Sequence, residues 1–123
     1  MIRGIGVDAV DVERFRTALT RTPSMRDRLF TTIELSQLAE RADHVPSLAA
    51  RFAAREATMK AMGVGLGAFG FHDVWVEREP SGSPILRVAG TALELAQGRG
   101  IGAWHLSLTH TDSTAIAYVI ATD

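Results

Sequence analysis

The stretch Leu48-Ala-Ala-Arg51-Phe52-Ala-Ala-Arg55-Glu56-Ala-Thr-Met59-Lys60-Ala-Met62 carries the strongest structural signal in the chain. It follows Pro46 and stops at Gly63, so the spacing predicts a helix beginning at Ser47, with an N-cap in front and a glycine stop behind. With Leu48 at zero on a helical wheel, Met59, Phe52, Ala49 and Ala53 fall at about 20°, 40°, 100° and 140°, and Glu56 falls at about 80°, in the middle of that apolar arc. A buried carboxylate is costly unless something answers it, so Glu56 needs a cation, a hydrogen-bond network or a water-filled cleft. Lys60, one turn on, offers the plain alternative: an ordinary Glu56 to Lys60 pair at the edge of the core. Arg55 falls near about 340°, which predicts a position towards the rim, with a surface or interface role.

Working outward, Ile2 to Asp8 reads as a strand with Ile5 and Val7 on one face and Gly4, Gly6 and Asp8 on the other, a glycine face that lets a backbone or ligand come close. From Asp11 the spacing becomes helical through Val12, Phe15 and Leu19, until Thr22-Pro23 closes the segment. Thr31 with Glu34 forms a candidate capping box before Leu35 and Leu38, and Asp43 to Pro46 reads as a connection. After Gly63 comes a flexible glycine-rich stretch to Gly70. Val74 to Val76 and Ile85 to Val88 flank a Pro80 to Pro84 turn and predict a hairpin. A short helix over Thr91 to Gln97 and strands over Trp104 to Thr109 and Ala115 to Ala121 complete an α+β chain, its helices packed on a mainly antiparallel sheet.

Composition narrows the function. The 123 residues are 46% hydrophobic, enough for the core of one domain spanning 1–123. Thirteen basic and fourteen acidic residues leave a net charge of −1, which gives no electrostatic reason to expect nucleic acid or an anionic membrane as partner. There is no cysteine, so disulfides, thiolate zinc sites and cysteine nucleophiles are excluded, and a cytoplasmic address is expected. The start lacks a signal-peptide pattern, and no apolar run is long enough to span a bilayer.

The chemistry-bearing candidates are few. Asp8 ends the first predicted strand on its glycine face with no basic neighbour there; the alternative is that it caps the next helix. Asp8 and Glu56, two carboxylates from different elements with no thiolate available, suit a hard ion such as magnesium, which commonly takes one or two carboxylates plus phosphate oxygens and water. His110 lies just past a strand, and His105 shares a polar sheet face with Ser107 and Thr109, but no zinc-type histidine spacing is present. Neither a serine-hydrolase elbow nor a Walker loop occurs.

Three pieces taken together, Gly4-Ile5-Gly6-Val7-Asp8, Arg51-Phe52-Ala53-Ala54-Arg55-Glu56-Ala57 with Lys60, and His105-Leu106-Ser107-Leu108-Thr109-His110, resemble the small holo-acyl-carrier-protein synthases in order, spacing and chain length. These are 4′-phosphopantetheinyl transferases. The resemblance implies transfer of the phosphopantetheine arm of coenzyme A to a serine of acyl carrier protein, with release of adenosine 3′,5′-bisphosphate. It implies that Asp8 and Glu56 hold Mg2+, that Lys60 lies on the phosphates, and that Arg51 and His110 face the nucleotide 3′-phosphate. Thr109 belongs to the same motif, and Gly63 lets the loop approach the ligand. The family motif usually reads Lys-Glu-Ala where this chain has Arg55-Glu56-Ala57.

The resemblance further implies a homotrimer with sites between subunits and an acidic carrier docking on the first helix. Arg14 and Arg21, seven residues apart, share about one face of that helix, with Arg28 as a third candidate; the alternative is an ordinary solvated face. Two other functions remain open at this point: a non-catalytic module binding carrier protein or coenzyme A, and a magnesium-dependent phosphohydrolase.

Overall fold

A computed structural model describes residues 1–123. Its organising contact is between the long helix and the first strand. Strand β1 (Ile2–Asp11) pairs antiparallel with β5 (Thr114–Thr122), which pairs antiparallel on its other edge with β4 (Ala103–His110). Helix α4 (Val45–Met62) lies across the inner face of that sheet. Small residues permit the approach: a methyl built on Gly4 would overlap the carbonyl of Ala61, and one on Gly6 the carbonyl of Ala57. On the central strand, Ala115, Ala117, Val119 and Ala121 are fully buried beneath the helix. The glycine face of the first strand therefore receives a backbone, and that backbone is α4.

The remaining elements close over α4 from the other side. Helix α1 (Val12–Arg21) buries Val12, Phe15 and Leu19, and is followed by α2 (Met25–Leu29) and α3 (Thr32–Leu38). A 3₁₀ turn (Phe71–Asp73) leads into the two-stranded hairpin β2 (Val74–Arg78) and β3 (Pro84–Val88), and α5 (Gly90–Gly98) precedes β4. Two apolar clusters form, and α4 contributes to both, through Val45 to Ala50 at its start and Ala53 to Met62 beyond. The expected α+β architecture, with helices on antiparallel sheets, is what the chain adopts.

Several boundaries shift. Strand β1 runs on to Asp11, so Asp8 lies within the strand opposite Ala117 and does not end it. Asp11 is the residue that caps α1, its carboxylate accepting from the Arg14 N–H at 2.8 Å. Helix α4 starts at Val45, earlier than expected, because Pro46 sits in its first turn, where a missing N–H costs nothing. It ends as predicted on Gly63 in the left-handed region, φ 70°. Helix α2 has no counterpart in the sequence reading. The glycine-rich stretch after Gly63 is tied down: the Val64 N–H donates to the Met59 carbonyl, and Phe69 is buried.

Candidate functional site

The predicted side chains fall into two groups on opposite flanks of α4. Glu56 and Lys60 lie with Phe52 along its least buried stripe, where the end of β1 and α1 leave the helix partly open. The arc the wheel marks as apolar is buried at Leu48, Ala49, Ala53 and Met59, and Glu56 within it is answered by a cleft, one of the three surroundings its carboxylate needs. Beyond the first turn, only Phe52, Glu56 and Lys60 are left part-open on a helix that the sheet, α3 and the hairpin otherwise bury. Arg55, expected at the rim, is completely buried.

On the open flank, Lys60 Nζ donates to Asp8 Oδ1 at 3.1 Å and to the Val7 carbonyl at 3.0 Å. Lys60 thus bonds across to the strand; it makes no hydrogen bond to Glu56, and the intrahelical pair does not form. Burial, then the neighbouring Asp8 charge, pushes the Glu56 carboxyl above its usual range, with Lys60 opposing. Asp8 and Glu56 line one cavity of about 440 Å³ together with Asp11, Arg14, Phe15 and Phe52. Its donor set fits a hard cation in part: Asp8 and Glu56 share the cavity and Asp8 keeps Oδ2 free of protein partners, but Asp11 on the same wall caps α1, and no three carboxylates or histidines cluster closely enough to hold an ion. The remaining ligands of such an ion would come from water or a phosphate-bearing substrate.

On the opposite flank, Arg51, Thr109 and His110 line a separate cavity of about 310 Å³ with Ser47, Ala50, Arg78 and Leu108. His110 is the last residue of β4, not just past it. Arg51 is nearly fully buried; its Nη1 donates to the Val76 carbonyl at 3.0 Å and its Nη2 to Gln37 Oε1 at 3.5 Å. Burial lowers the Arg51 pKa to about 10, with Glu34 opposing and Arg78, Arg41 and Arg55 adding to the lowering.

Between the two flanks runs a buried ion pair absent from the sequence reading. Arg55 holds Glu34 with both terminal nitrogens, one at 2.9 Å, while its Nε donates to the Phe71 carbonyl at 2.8 Å and its guanidinium lies over the Phe30 ring. Glu34 also accepts from the Thr31 and Val76 N–H groups, so the capping box extends into this pair. Arg55 is a structural clamp joining α3, α4, β2 and the 3₁₀ turn.

Arg14 and Arg21 are exposed on α1 without acidic partners and border one shallow groove with Glu13, Thr17 and Ala18, whereas Arg16 is engaged by Glu13 and Asp43. Arg14 also reaches the rim of the Asp8–Glu56 cavity. Arg28 is exposed on α2. Gly63 lies one turn past Lys60 as the C-cap of α4. The sequence reading missed Arg78 and Gln37; the signals were present, since Arg78 continues the Val74, Val76 alternation and Gln37 lies three residues after Glu34.

Comparison with known proteins gives a consistent result. The family model described as the 4′-phosphopantetheinyl transferase superfamily matches residues 4–119. The holo-[acyl-carrier-protein] synthase of Beutenbergia cavernae is 48% identical over 121 residues, covering 98% of each chain. That of Streptomyces griseus is 47% identical over 122 residues, again covering 98% of each. Among solved structures, the holo-[acyl-carrier-protein] synthase of Neisseria meningitidis superposes with a TM-score of 0.90 at 30% identity over the full length of both chains. The Bacillus anthracis structure, in complex with CoA (3′,5′-ADP), gives 0.81 at 30% identity, covering 98% of this chain and 96% of that one.

Proposed function

The chain belongs to the 4′-phosphopantetheinyl transferase superfamily, and on that premise we propose how its two cavities divide the work of a magnesium-dependent transfer from coenzyme A. The enzyme moves the 4′-phosphopantetheine group of coenzyme A onto apo acyl carrier protein. The observation that carries the assignment of residues is the convergence of Asp8, Glu56 and Lys60 beside a cleft whose rim is the arginine-bearing face of α1.

Asp8 and Glu56 would hold Mg2+, which supplies charge neutralisation to the pyrophosphate oxygens when bound. Lys60, half exposed beside Asp8, contributes a second cation for the same phosphates. The serine hydroxyl of the carrier forms a new P–O bond at the phosphorus bearing the pantetheine arm. The bond to the second phosphate breaks, and adenosine 3′,5′-bisphosphate leaves with the electron pair. A carboxylate or an ordered water near Glu56 takes the serine proton. Rate enhancement of this kind rests mainly on positioning and electrostatics.

The other cavity takes the nucleotide: Arg51 and His110 face its 3′-phosphate, with Thr109 beside them, while Gly63, past Lys60 at the end of α4, gives the ligand room there. In one chain these residues share no cavity wall with Asp8 or Glu56. A homotrimer in which neighbouring subunits contribute one flank each unites them. In support, the outer face of the three-stranded sheet exposes Ile5 (51%), Val7 (48%), Ile116 (36%) and Tyr118 (41%) side by side, an apolar surface unusual for a monomer. No helix is long and apolar enough to cross a membrane. The acidic carrier docks on Arg14 and Arg21, with Arg28 at the periphery.

Incubation with apo carrier protein, coenzyme A and magnesium tests the whole reading. The carrier should gain the mass of one phosphopantetheine arm, and a chelator should stop the gain. Folded, magnesium-loaded protein that modifies none of several carriers would sink it. Light scattering should give the mass of three chains, with Tyr118→Arg lowering it.

A further inference from the structure

The cavity holding Arg51 and His110 contains a second guanidinium that the sequence motifs do not single out. Arg78 ends β2 and borders the cavity, and its Nη1 donates to the Gly82 carbonyl at 3.0 Å in the hairpin turn. Its Nε and Nη2 make no protein hydrogen bond, and no carboxylate pairs with it. Arg51 is differently placed. It is buried, with one N–H of Nη1 donated to Val76 and one of Nη2 to Gln37, so its fork is anchored while part of it still faces the cavity. Gln37 Oε1 also accepts the backbone N–H of Arg78 at 3.1 Å, so one amide oxygen ties the Arg51 guanidinium to the β2 backbone at the residue whose side chain borders the cavity.

The charge of this cavity is unanswered. Glu34, the carboxylate nearest Arg51, is spent on Arg55, and no acidic side chain lines the walls. Two guanidiniums without a carboxylate match a phosphate monoester, which carries about −1.5 to −2 at neutral pH, better than a phosphodiester with a single charge. Arg78, exposed where Arg51 is buried and donating through Nη1 alone, is the more available member of the pair.

We propose that Arg78 is a specificity-determining residue of the donor site: with Arg51 it binds the 3′-phosphate of coenzyme A and so separates coenzyme A from its 3′-dephospho form. The inference rests on the nucleotide reading of this cavity. Arg78 does not touch the reacting pyrophosphate, so its contribution belongs to donor affinity.

The test compares kcat/KM for coenzyme A and for dephospho-coenzyme A in the native enzyme and in Arg78→Ala, Arg78→Lys and Arg51→Ala. Arg78→Ala should lower the ratio of the two about tenfold, the size of one charge-assisted hydrogen bond, through KM for coenzyme A and not through kcat. Arg78→Lys should recover part of the loss, which a merely structural role of the hairpin would not allow. Isothermal titration with adenosine 3′,5′-bisphosphate against adenosine 5′-monophosphate should show the same drop in discrimination. If Arg51→Ala lowers the ratio and Arg78→Ala leaves it unchanged, the assignment of Arg78 is wrong and the nucleotide reading stands. If neither variant alters discrimination by an active enzyme, both the assignment and the nucleotide reading of the cavity fall.

Discussion

Glu34 and Glu56 sit against the same helix, and each has an arginine or lysine within reach in sequence or space, yet their surroundings are opposite. Glu34 is fully buried and receives a guanidinium on both oxygens, two backbone N–H groups and the Thr31 hydroxyl. Glu56 is half-buried at a cleft, raised in pKa by burial and by Asp8, and bonded to no protein donor. The first carboxylate is satisfied from within the chain and has nothing left to offer a ligand. The second is kept from its nearest cation because Lys60 reaches across to Asp8 and the Val7 carbonyl. A complete hydrogen-bond shell marks a clamp, and an incomplete one beside a cavity marks a binding site.

Removing each carboxylate should separate these roles. Glu34→Ala leaves Arg55 buried and unpaired, so denaturant unfolding should show a loss of about 3 to 5 kcal/mol. A loss below about 1 kcal/mol would erase the distinction drawn here. Glu56→Ala should lower phosphopantetheine transfer by about a hundredfold to a thousandfold, with the unfolding midpoint nearly unchanged. Retained transfer would remove Glu56 from the site. Charge reversal at Arg14, on the exposed cation face, should raise KM for the carrier about tenfold and leave KM for coenzyme A within about twofold. Equal shifts in both would refute α1 as the docking face.

The smallest effect concerns a surface carboxylate that is paired like Glu34 but, unlike either glutamate, exposed. A hydrogen bond from Arg16, followed by the Val45 N–H, holds Asp43 down to about 2. Because the folded pKa is depressed, the stabilisation is present above the unfolded value of about 3.9 and disappears as pH falls towards about 2. Native protein should therefore lose slightly more stability than Asp43→Asn between about pH 4 and 2, by thermal melts. Parallel curves would show the pair to be energetically silent.

Much of this arrangement is local and could be read along the chain. The Thr31–Glu34 capping box forms, the hairpin turns where Pro80 to Pro84 predict it, and α4 stops on Gly63. These features depend on residues a few positions apart. Helix α2, with five residues, is too short for periodicity to show. Arg55 was misplaced because a wheel ranks faces by the apolar residues of one helix, whereas burial depends on what packs against it. Once α3 and the hairpin cover that side, Glu34 makes a buried guanidinium tolerable.

The sequence by itself determined the elements other than α2, a glycine face on β1 open to the close approach of a backbone or a ligand, and the roster of residues able to carry phosphoryl-transfer chemistry, because side-chain size, turn chemistry and charge type are properties of the residues. Only the tertiary structure decided which charges meet. It turned Lys60 towards Asp8, gave Arg55 to Glu34, left Glu56 open, and set Arg51, Arg78 and His110 in a cavity apart from Asp8. Coulomb and hydrogen-bond energies depend on distances between groups far apart in the chain, 53 positions for Lys60 and the Val7 carbonyl, and those distances exist only after the sheet and α4 have packed.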